Sequence, residues 1–302
     1  LDSVTNYECY KGLWSSLVDT NYFEIAYALK RQFGDNGIYR DLPLYNFADN
    51  HDVDRVASSL KKPEHLYPLY CLLFTMPGVP SIYYGSEWGI DGSRHKGSDE
   101  SLRPDLDLDH MRSAGPQPTL AGAISRLSAI RLSSPALKYG DYQELSVSHQ
   151  QLAFCRSTAG ASAVVLLNAA DTPATLHLSL PEHCETRLVD LLNPGDSFVV
   201  RDGKLEVEVV PPNWGRILCA IGYTPGEFSV DTVGVKISSK AGSLTVCEQG
   251  SGVVFSEPLA KKILLEGEID LWIDLAQGSG SAVAWGCDLS YDYVKINGDY
   301  RT

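Results

Sequence analysis

The sequence predicts an α/β unit, then an antiparallel β-sandwich, then a small α+β unit. Three observations lead there. Two short apolar runs, Leu44-Tyr45-Asn46-Phe47 and Ser81-Ile82-Tyr83-Tyr84, flank a stretch with helical spacing, which is how buried strands of a parallel sheet read. From Tyr142 the hydrophobic period falls to two, the pattern of half-buried strands. After Thr224-Pro225-Gly226, a linker turn by composition, strand-like and helix-like stretches resume.

In order, Leu1 to Tyr7 reads as a short strand followed by a polar loop. Asn21 to Phe33 is an amphipathic helix with Phe23, Ala26, Tyr27, Leu29 and Phe33 apolar, stopped by Gly34 as a C′ residue. The first parallel strand ends in Asp49-Asn50-His51-Asp52. Pro63 to Thr75 carries Leu66, Leu69, Tyr70, Leu73 and Phe74 at helical steps. Pro68 marks a kink or a restart. The second strand leads into Gly85-Ser86-Glu87-Trp88. Strand, helix and strand, with polar residues at a strand's carboxyl end, make one step of an α/β barrel or an open sheet. Asp52, held by His51, suits stabilising a developing positive charge or holding sugar hydroxyls. Asn and Asp also favour such turns for backbone reasons alone.

Gly89 to Pro118 is a loop rich in Gly, Ser, Asp and Pro, and loops on this face line substrate clefts. Its Arg103 would orient a carboxylate or a sugar, or make a surface ion pair. Thr119 to Leu132 is helical, closed by Ser133-Ser134-Pro135. In the sandwich, Ala163 to Leu167 is a buried strand and Leu176 to Leu180 alternates. Phe198 to Val209 reads as a hairpin around Asp202-Gly203. His149, His177 and His183 read as surface residues. In the tail, a helix over Glu257 to Leu265 is expected, with Val235, Ile237, Leu244, Val246, Ile269, Leu271, Ile273 and Val283 packing a small layer.

A chain of 302 residues holds two or three domains. The net charge of −13 argues against nucleic acid and anionic membrane as partners, since both select basic patches. Seven Cys, at 9, 71, 155, 184, 219, 247 and 287, are scattered without a CxxC or a Cys/His cluster. No metal site and no cofactor are expected, and reduced thiols in a cytoplasm are. No run of 18 apolar residues is present. The sequence opens at Leu1, without Met, inside a strand-like pattern, so a cut amino terminus is expected.

Phe47-Ala48-Asp49-Asn50-His51-Asp52 resembles the strand-seven motif of glycoside hydrolase family 13, the α-amylase family. Pro77-Gly78-Val79-Pro80-Ser81-Ile82-Tyr83-Tyr84-Gly85-Ser86-Glu87 resembles its strand-eight motif. Asp2 to Tyr7 matches the region of strand six, and Asp99-Glu100-Ser101-Leu102-Arg103-Pro104 resembles the following loop of neopullulanases and cyclomaltodextrinases. The resemblance implies a partial (β/α)8 barrel holding its last strands and helices over residues 1–140, then the amylase β-sandwich over 141–214. It implies that Asp52 is the transition-state-stabilising carboxylate and that His51 binds the sugar, with Asn50 and Arg103 beside them. An α-glucan oligosaccharide is then the ligand, and the amino-terminal half of the barrel a second partner.

Residues 215–302 resemble another family. Asn213-Trp214-Gly215-Arg216-Ile217-Leu218-Cys219-Ala220-Ile221-Gly222-Tyr223 and the stretch Ala284 to Thr302 resemble the carboxyl end of the bifunctional ornithine acetyltransferase/glutamate N-acetyltransferase of arginine biosynthesis. By that resemblance Asn297 and Thr302 contact substrate, while no residue here matches the family's nucleophilic Thr. Residues 212–218 complete either pattern and mark the seam.

Three functions follow as alternatives. One is part of an α-glucan hydrolase, inactive alone. A retaining glycosidase needs two carboxyl groups about 5 Å apart, and the amylase family draws them from strands four and five, which the resemblance places before Leu1. The second is a piece of the acetyltransferase. The third is a non-catalytic glucan-binding protein or the product of a gene-fusion artefact.

Overall fold

A computed structural model describes residues 3–95, 98–181, 187–220 and 230–274. The chain divides into two compact units, Leu1–Gly222 and Tyr223–Thr302.

The first unit opens with α1 (Tyr7–Val18), where the sequence suggested a polar loop. Asn6 caps it, its Oδ1 accepting from the Cys9 amide at 3.1 Å. The buried face mixes Cys9, Leu13 and Leu17 with Gly12, Ser15 and Ser16, which hides the apolar stripe. Before it, where a strand was expected, the described residues form one parallel bridge, Thr5 to Tyr45. Helix α2 (Tyr22–Phe33) packs on α1. Gly34 is extended, at φ −65°, rather than left-handed. A Cβ there would lie 2.6 Å from the Lys30 carbonyl oxygen, so close approach, not dihedral freedom, selects the glycine.

Next come β1 (Tyr45–Phe47), α3 (Val56–Ser59) and a 3-10 turn, Pro63–His65, that runs into α4 (Leu66–Thr75). Pro68 lies in the first turn of α4, which follows directly on the 3-10 turn, so it marks a restart. Strand β2 (Val79–Ser81) pairs parallel with β1, Tyr45 opposite Val79 and Phe47 opposite Ser81. It begins two residues earlier than the apolar run suggested, because Tyr83 already enters the turn to Ser86. Asn46 is buried and ties the parallel segments together: it accepts from Asn6 Nδ2 at 2.9 Å and donates to the Pro77 carbonyl at 2.7 Å. Gly78, at φ +102°, approaches the Leu44 carbonyl so closely that a Cβ would sit 2.4 Å from its oxygen.

The loop after β2 contains α5 (Leu108–Ala114), capped by Asp107 and invisible to periodicity because it buries no side chain. Helix α6 (Leu120–Ser133) packs on α4, and α7 (Pro135–Tyr139) follows. Arg131 of α6 is buried and donates to the carbonyls of Phe74, Met76 and Gly78. It thereby satisfies orphan acceptors at the end of α4.

The sandwich holds β3 (Asp141–Val147), β4 (Gln151–Ser157), β5 (Ser162–Asn168), β6 (Ala174–Ser179), β7 (Arg187–Asp190), β8 (Ser197–Val199), β9 (Lys204–Val210) and β10 (Trp214–Cys219). One sheet runs β3-β4-β5-β10-β7-β8 and the other pairs β6 with β9. The Asp202-Gly203 turn forms as expected, with both φ positive and two Arg201–Lys204 backbone hydrogen bonds. Its arms do not stay paired: β8 joins β7, and β9 crosses to β6. Strand β5 is apolar from Ala163 to Leu167 because both its faces are covered. Val165 and Leu167 meet the helices, including Leu69 and Leu73, while Val164 and Leu166 meet Leu178 and Val207 of the second sheet. The boundary expected at 214 falls inside this sandwich, since β10 lies between β5 and β7 with Ile217 and Leu218 buried.

The second unit contains β11 (Gly234–Ser239), β12 (Gly242–Glu248), β13 (Ser251–Gly252), α8 (Glu257–Leu264) and β14 (Asp270–Asp274). Its antiparallel sheet runs β13-β12-β11-β14. The expected apolar layer is thin. Leu244 and Ile263 are buried, whereas Leu271 and Ile273 are 59% and 60% exposed. The reason is that α8 packs on β11 and β12 and leaves β14 uncovered by described residues. Asn297, Thr302, Val283, His183 and the turn at Thr224 lie outside the described residues. No described helix is long and apolar enough to cross a membrane.

Candidate active-site cluster

The carboxyl ends of β1 and β2 lie side by side because the strands are parallel and in register. Asp49, just beyond β1, is buried. Its Oδ2 accepts from the Val56 amide at 2.9 Å and from Ser86 Oγ at 2.8 Å. Burial raises its pKa, and those hydrogen bonds work against the rise. Asp49 thus anchors the turn that follows and points away from solvent.

Asn50, His51 and Asp52 stand on that turn. Asn50 Oδ1 accepts from the Asp52 amide at 2.8 Å, an Asx turn, so the backbone reading of Asn50 is realised. His51 Nε2 lies 3.2 Å from Asp52 Oδ2. Arg103 arrives from the loop after β2: its Nη2 is 3.5 Å from Asp52 Oδ1 and 3.3 Å from Asp99 Oδ2. It also donates to the His51 carbonyl at 3.3 Å. The structure therefore brings Asn50, His51, Asp52 and Arg103 together at the sheet end.

The cluster is open. Side chains of His51, Asp52 and Arg103 are 57%, 58% and 47% exposed. Ion pairs in such water contribute about 0–1 kcal/mol, so stability alone is a weak reason for gathering these three side chains here. Chemically, a carboxylate with one oxygen toward an imidazole and the other toward a guanidinium can accept sugar hydroxyls or face a cationic centre. The flanking donors suit neutral, hydroxyl-rich ligands. Among the described residues no group of three His, Cys, Asp or Glu could hold a metal.

Sequence reading missed Arg55, whose side chain is wholly buried beneath this cluster. Its guanidinium lies over the Tyr83 ring, 4.1 Å from the centroid. The only local sign was a charge three residues past Asp52, next to Val56.

A family model described as alpha amylase, catalytic domain matches residues 14–118, and one described as the ArgJ family matches residues 207–302. The two ends of this chain resemble two different families. The structure of an Anoxybacillus alpha-amylase aligns with TM-score 0.59 at 22% identity, over 74% of this chain and 48% of that one. An alpha-amylase from Geobacillus thermoleovorans, solved with acarbose, aligns with TM-score 0.63 at 20% identity, over 74% of this chain and 49% of that one. At such identity the likeness is one of fold: the amylase arrangement of barrel and sandwich, of which this chain holds part. The arginine biosynthesis bifunctional protein ArgJ of Caldanaerobacter subterraneus subsp. tengcongensis is 54% identical over 90 residues, 30% of this chain. A glutamate N-acetyltransferase of Methanothermobacter thermautotrophicus is 42% identical over 95 residues. The chain spans 22% and 24% of the length of those two relatives, and about half of the amylase structures.

Proposed function

We propose that residues 1–222 are the carboxyl-terminal part of an α-glucan-acting hydrolase of the retaining α-amylase family, with the cluster around Asp52 as half of its active site. The observation that carries this reading is the convergence of His51, Asp52 and Arg103 at the carboxyl ends of two parallel strands. In this reading Asp52 stabilises the positive charge that develops on the sugar, and His51 and Arg103 hold its hydroxyls. Asn50 shapes the turn through its hydrogen bond to Asp52. Asp52 alone can stabilise charge but cannot form or break a glycosyl bond, which takes a pair of carboxyl groups. Residues 1–302 by themselves should therefore bind short α-glucans without cleaving them, and gain activity only with the amino-terminal half of a barrel as partner. A cytoplasmic location belongs to the same proposal, in keeping with Cys9, Cys71, Cys219 and Cys247 being free thiols. The test is calorimetric titration with maltotriose, alongside an assay for release of reducing sugar. Turnover that Asp52→Asn abolishes would overturn the claim of inactivity.

The ArgJ match favours a second reading for the tail. There the residues beyond 222 are a piece of a glutamate N-acetyltransferase/ornithine acetyltransferase, with Asn297 and Thr302 toward substrate. As 22% of such a relative's length, the tail should not bind ornithine or glutamate alone. Calorimetric binding of N-acetylornithine that is lost in Asn297→Ala would contradict this. A glucan-binding protein without catalysis, or an artefactual join, is the remaining alternative. Sequencing the genomic locus across residues 207–219 decides the join.

A further inference from the structure

We infer that Arg55 is a positioning residue: it acts through Arg103, holding the loop that carries Arg103 against the turn that carries Asp52. The role rests on the glucan-site reading above, but the geometry beneath it is independent of any ligand. Arg55 is 0% exposed. Its Nη1 donates to the Tyr84 carbonyl at 2.6 Å and to Ser86 Oγ at 3.1 Å. Its Nη2 donates to the Leu102 carbonyl at 2.7 Å, one residue before Arg103. Its own amide donates to the Gly92 carbonyl at 2.8 Å. Thus the side chain bridges the end of β2 and the far half of the following loop, and the backbone amide of the same residue holds the near half.

The connection reaches Asp52 by a second path. Ser86 Oγ accepts from Arg55 and donates to Asp49 Oδ2, and Asp49 fixes the start of the turn through the Val56 amide. Asp49 and Arg55 are opposite charges linked through one hydroxyl. Tyr83 stacks on the guanidinium, and Tyr84 Oη donates to the Pro104 carbonyl at 2.9 Å. Arg103 is therefore flanked by two tethered carbonyls, at Leu102 and Pro104.

Burying a guanidinium is expensive unless its donors are satisfied, and Arg55 Nε has no partner among the described residues. A residue needed only to fill this space would be apolar. What an apolar side chain cannot do is meet two carbonyls and a hydroxyl from separate segments with one rigid fork. Since Arg103 reaches Asp52 and the His51 carbonyl at 3.3–3.5 Å, a small shift of its loop opens those contacts.

The experiment compares the full chain with Arg55→Met and Arg55→Lys, and with Arg156→Met. Arg156 is also buried and donates to the Thr75 and Gly140 carbonyls, away from the site. The first readout is amide hydrogen exchange. The Leu102 and Arg103 amides, both bonded to the Asp99 carbonyl, should exchange at least about tenfold faster in Arg55→Met, with α4 and the sandwich unchanged. Arg55→Lys, which keeps the charge and folds if the methionine variant does not, should shift the same amides less. The second readout is maltotriose affinity. Arg55→Met should weaken it about tenfold but add nothing in an Arg103→Met background, while Arg156→Met lowers the melting temperature without changing affinity. If the unaltered chain binds no maltotriose, the glucan reading fails and the exchange data still judge Arg55. Unchanged exchange at Leu102 and Arg103 in both Arg55 variants, or fully additive Arg55 and Arg103 effects on affinity, would overturn the inference.

Discussion

At Asp52 the two carboxylate oxygens face different groups, Oδ2 toward the His51 ring and Oδ1 toward Arg103. Arg103 is the less replaceable of the two. Its Nη2 meets Asp52, Asp99 and the His51 carbonyl while its Nε reaches the same carbonyl, a two-nitrogen hold that a lysine's single ammonium lacks. Arg103→Lys should therefore weaken maltotriose binding by about tenfold, roughly 1.4 kcal/mol, measured by calorimetry. If the barrel is completed and turnover appears, Asp52→Asn should raise the barrier by several kcal/mol, because charge stabilisation in a closed site is a large term. Asn50, His51, Asp52 and Arg103 were legible in the sequence because short motifs hold their chemistry. Arg55 was not, since its meaning lies in carbonyls 29 and 47 residues away. His65 was equally silent. It is buried, its Nε2 bonded to the Ala169 carbonyl and its Nδ1 without a partner among the described residues. Burial, opposed by the hydrogen bond to the Ala169 carbonyl and more weakly by Asp171 and Glu64, and aided by Lys62, holds its pKa below the usual 6.5. The neutral ring is therefore favoured in the fold. The stability it contributes is complete above about pH 6.5 and is lost as pH falls through the lower folded-state value. The unfolding midpoint should drop between pH 7 and 5, and His65→Gln should flatten that drop.

Among the elements, β10 decides where the first unit ends. The ArgJ match begins at 207, yet residues 214–219 form an inner strand of the amylase-like sandwich. Arg216 pairs with buried Asp190 at 2.8 Å and with Asp196 at 2.6 Å. Trp214 Nε1 donates to Asn193 at 3.0 Å. Ile217 and Leu218 are both fully buried, about 1.5–3 kcal/mol each. Breaking a buried ion pair costs about 3–5 kcal/mol. Residues 1–222 should accordingly fold as a unit, and residues 1–212 should not, as judged by near-UV circular dichroism and thermal melting. Arg216→Met should lower stability by several kcal/mol for the same reason. Long, strongly periodic elements such as α2 and β5 were legible. The split of β8 from β9 was not, because the local hairpin turn is real and only the packing of two sheets separates its arms. Helix α1 escaped because small polar residues share its buried face.

For the whole molecule, the chain comprises one large unit and one small one with different relatives. Small units bury too little surface to be robust, and the described part of this one buries little beyond Leu244 and Ile263. Calorimetric unfolding should show two transitions, the lower absent from residues 1–222. One coincident transition in both would contradict independent units. Whether the cluster at the ends of β1 and β2 is a glucan site is decided by titrating maltotriose into the intact chain and into Asp52→Ala, Arg103→Met and Arg40→Met. Arg40 is the control, since it pairs with Asp141 on the surface. The unaltered chain and Arg40→Met should bind saturably, and binding should be weakened about tenfold or more in the other two. No heat of binding from a folded chain at millimolar sugar, or equal binding by all four proteins, would contradict a glucan site there.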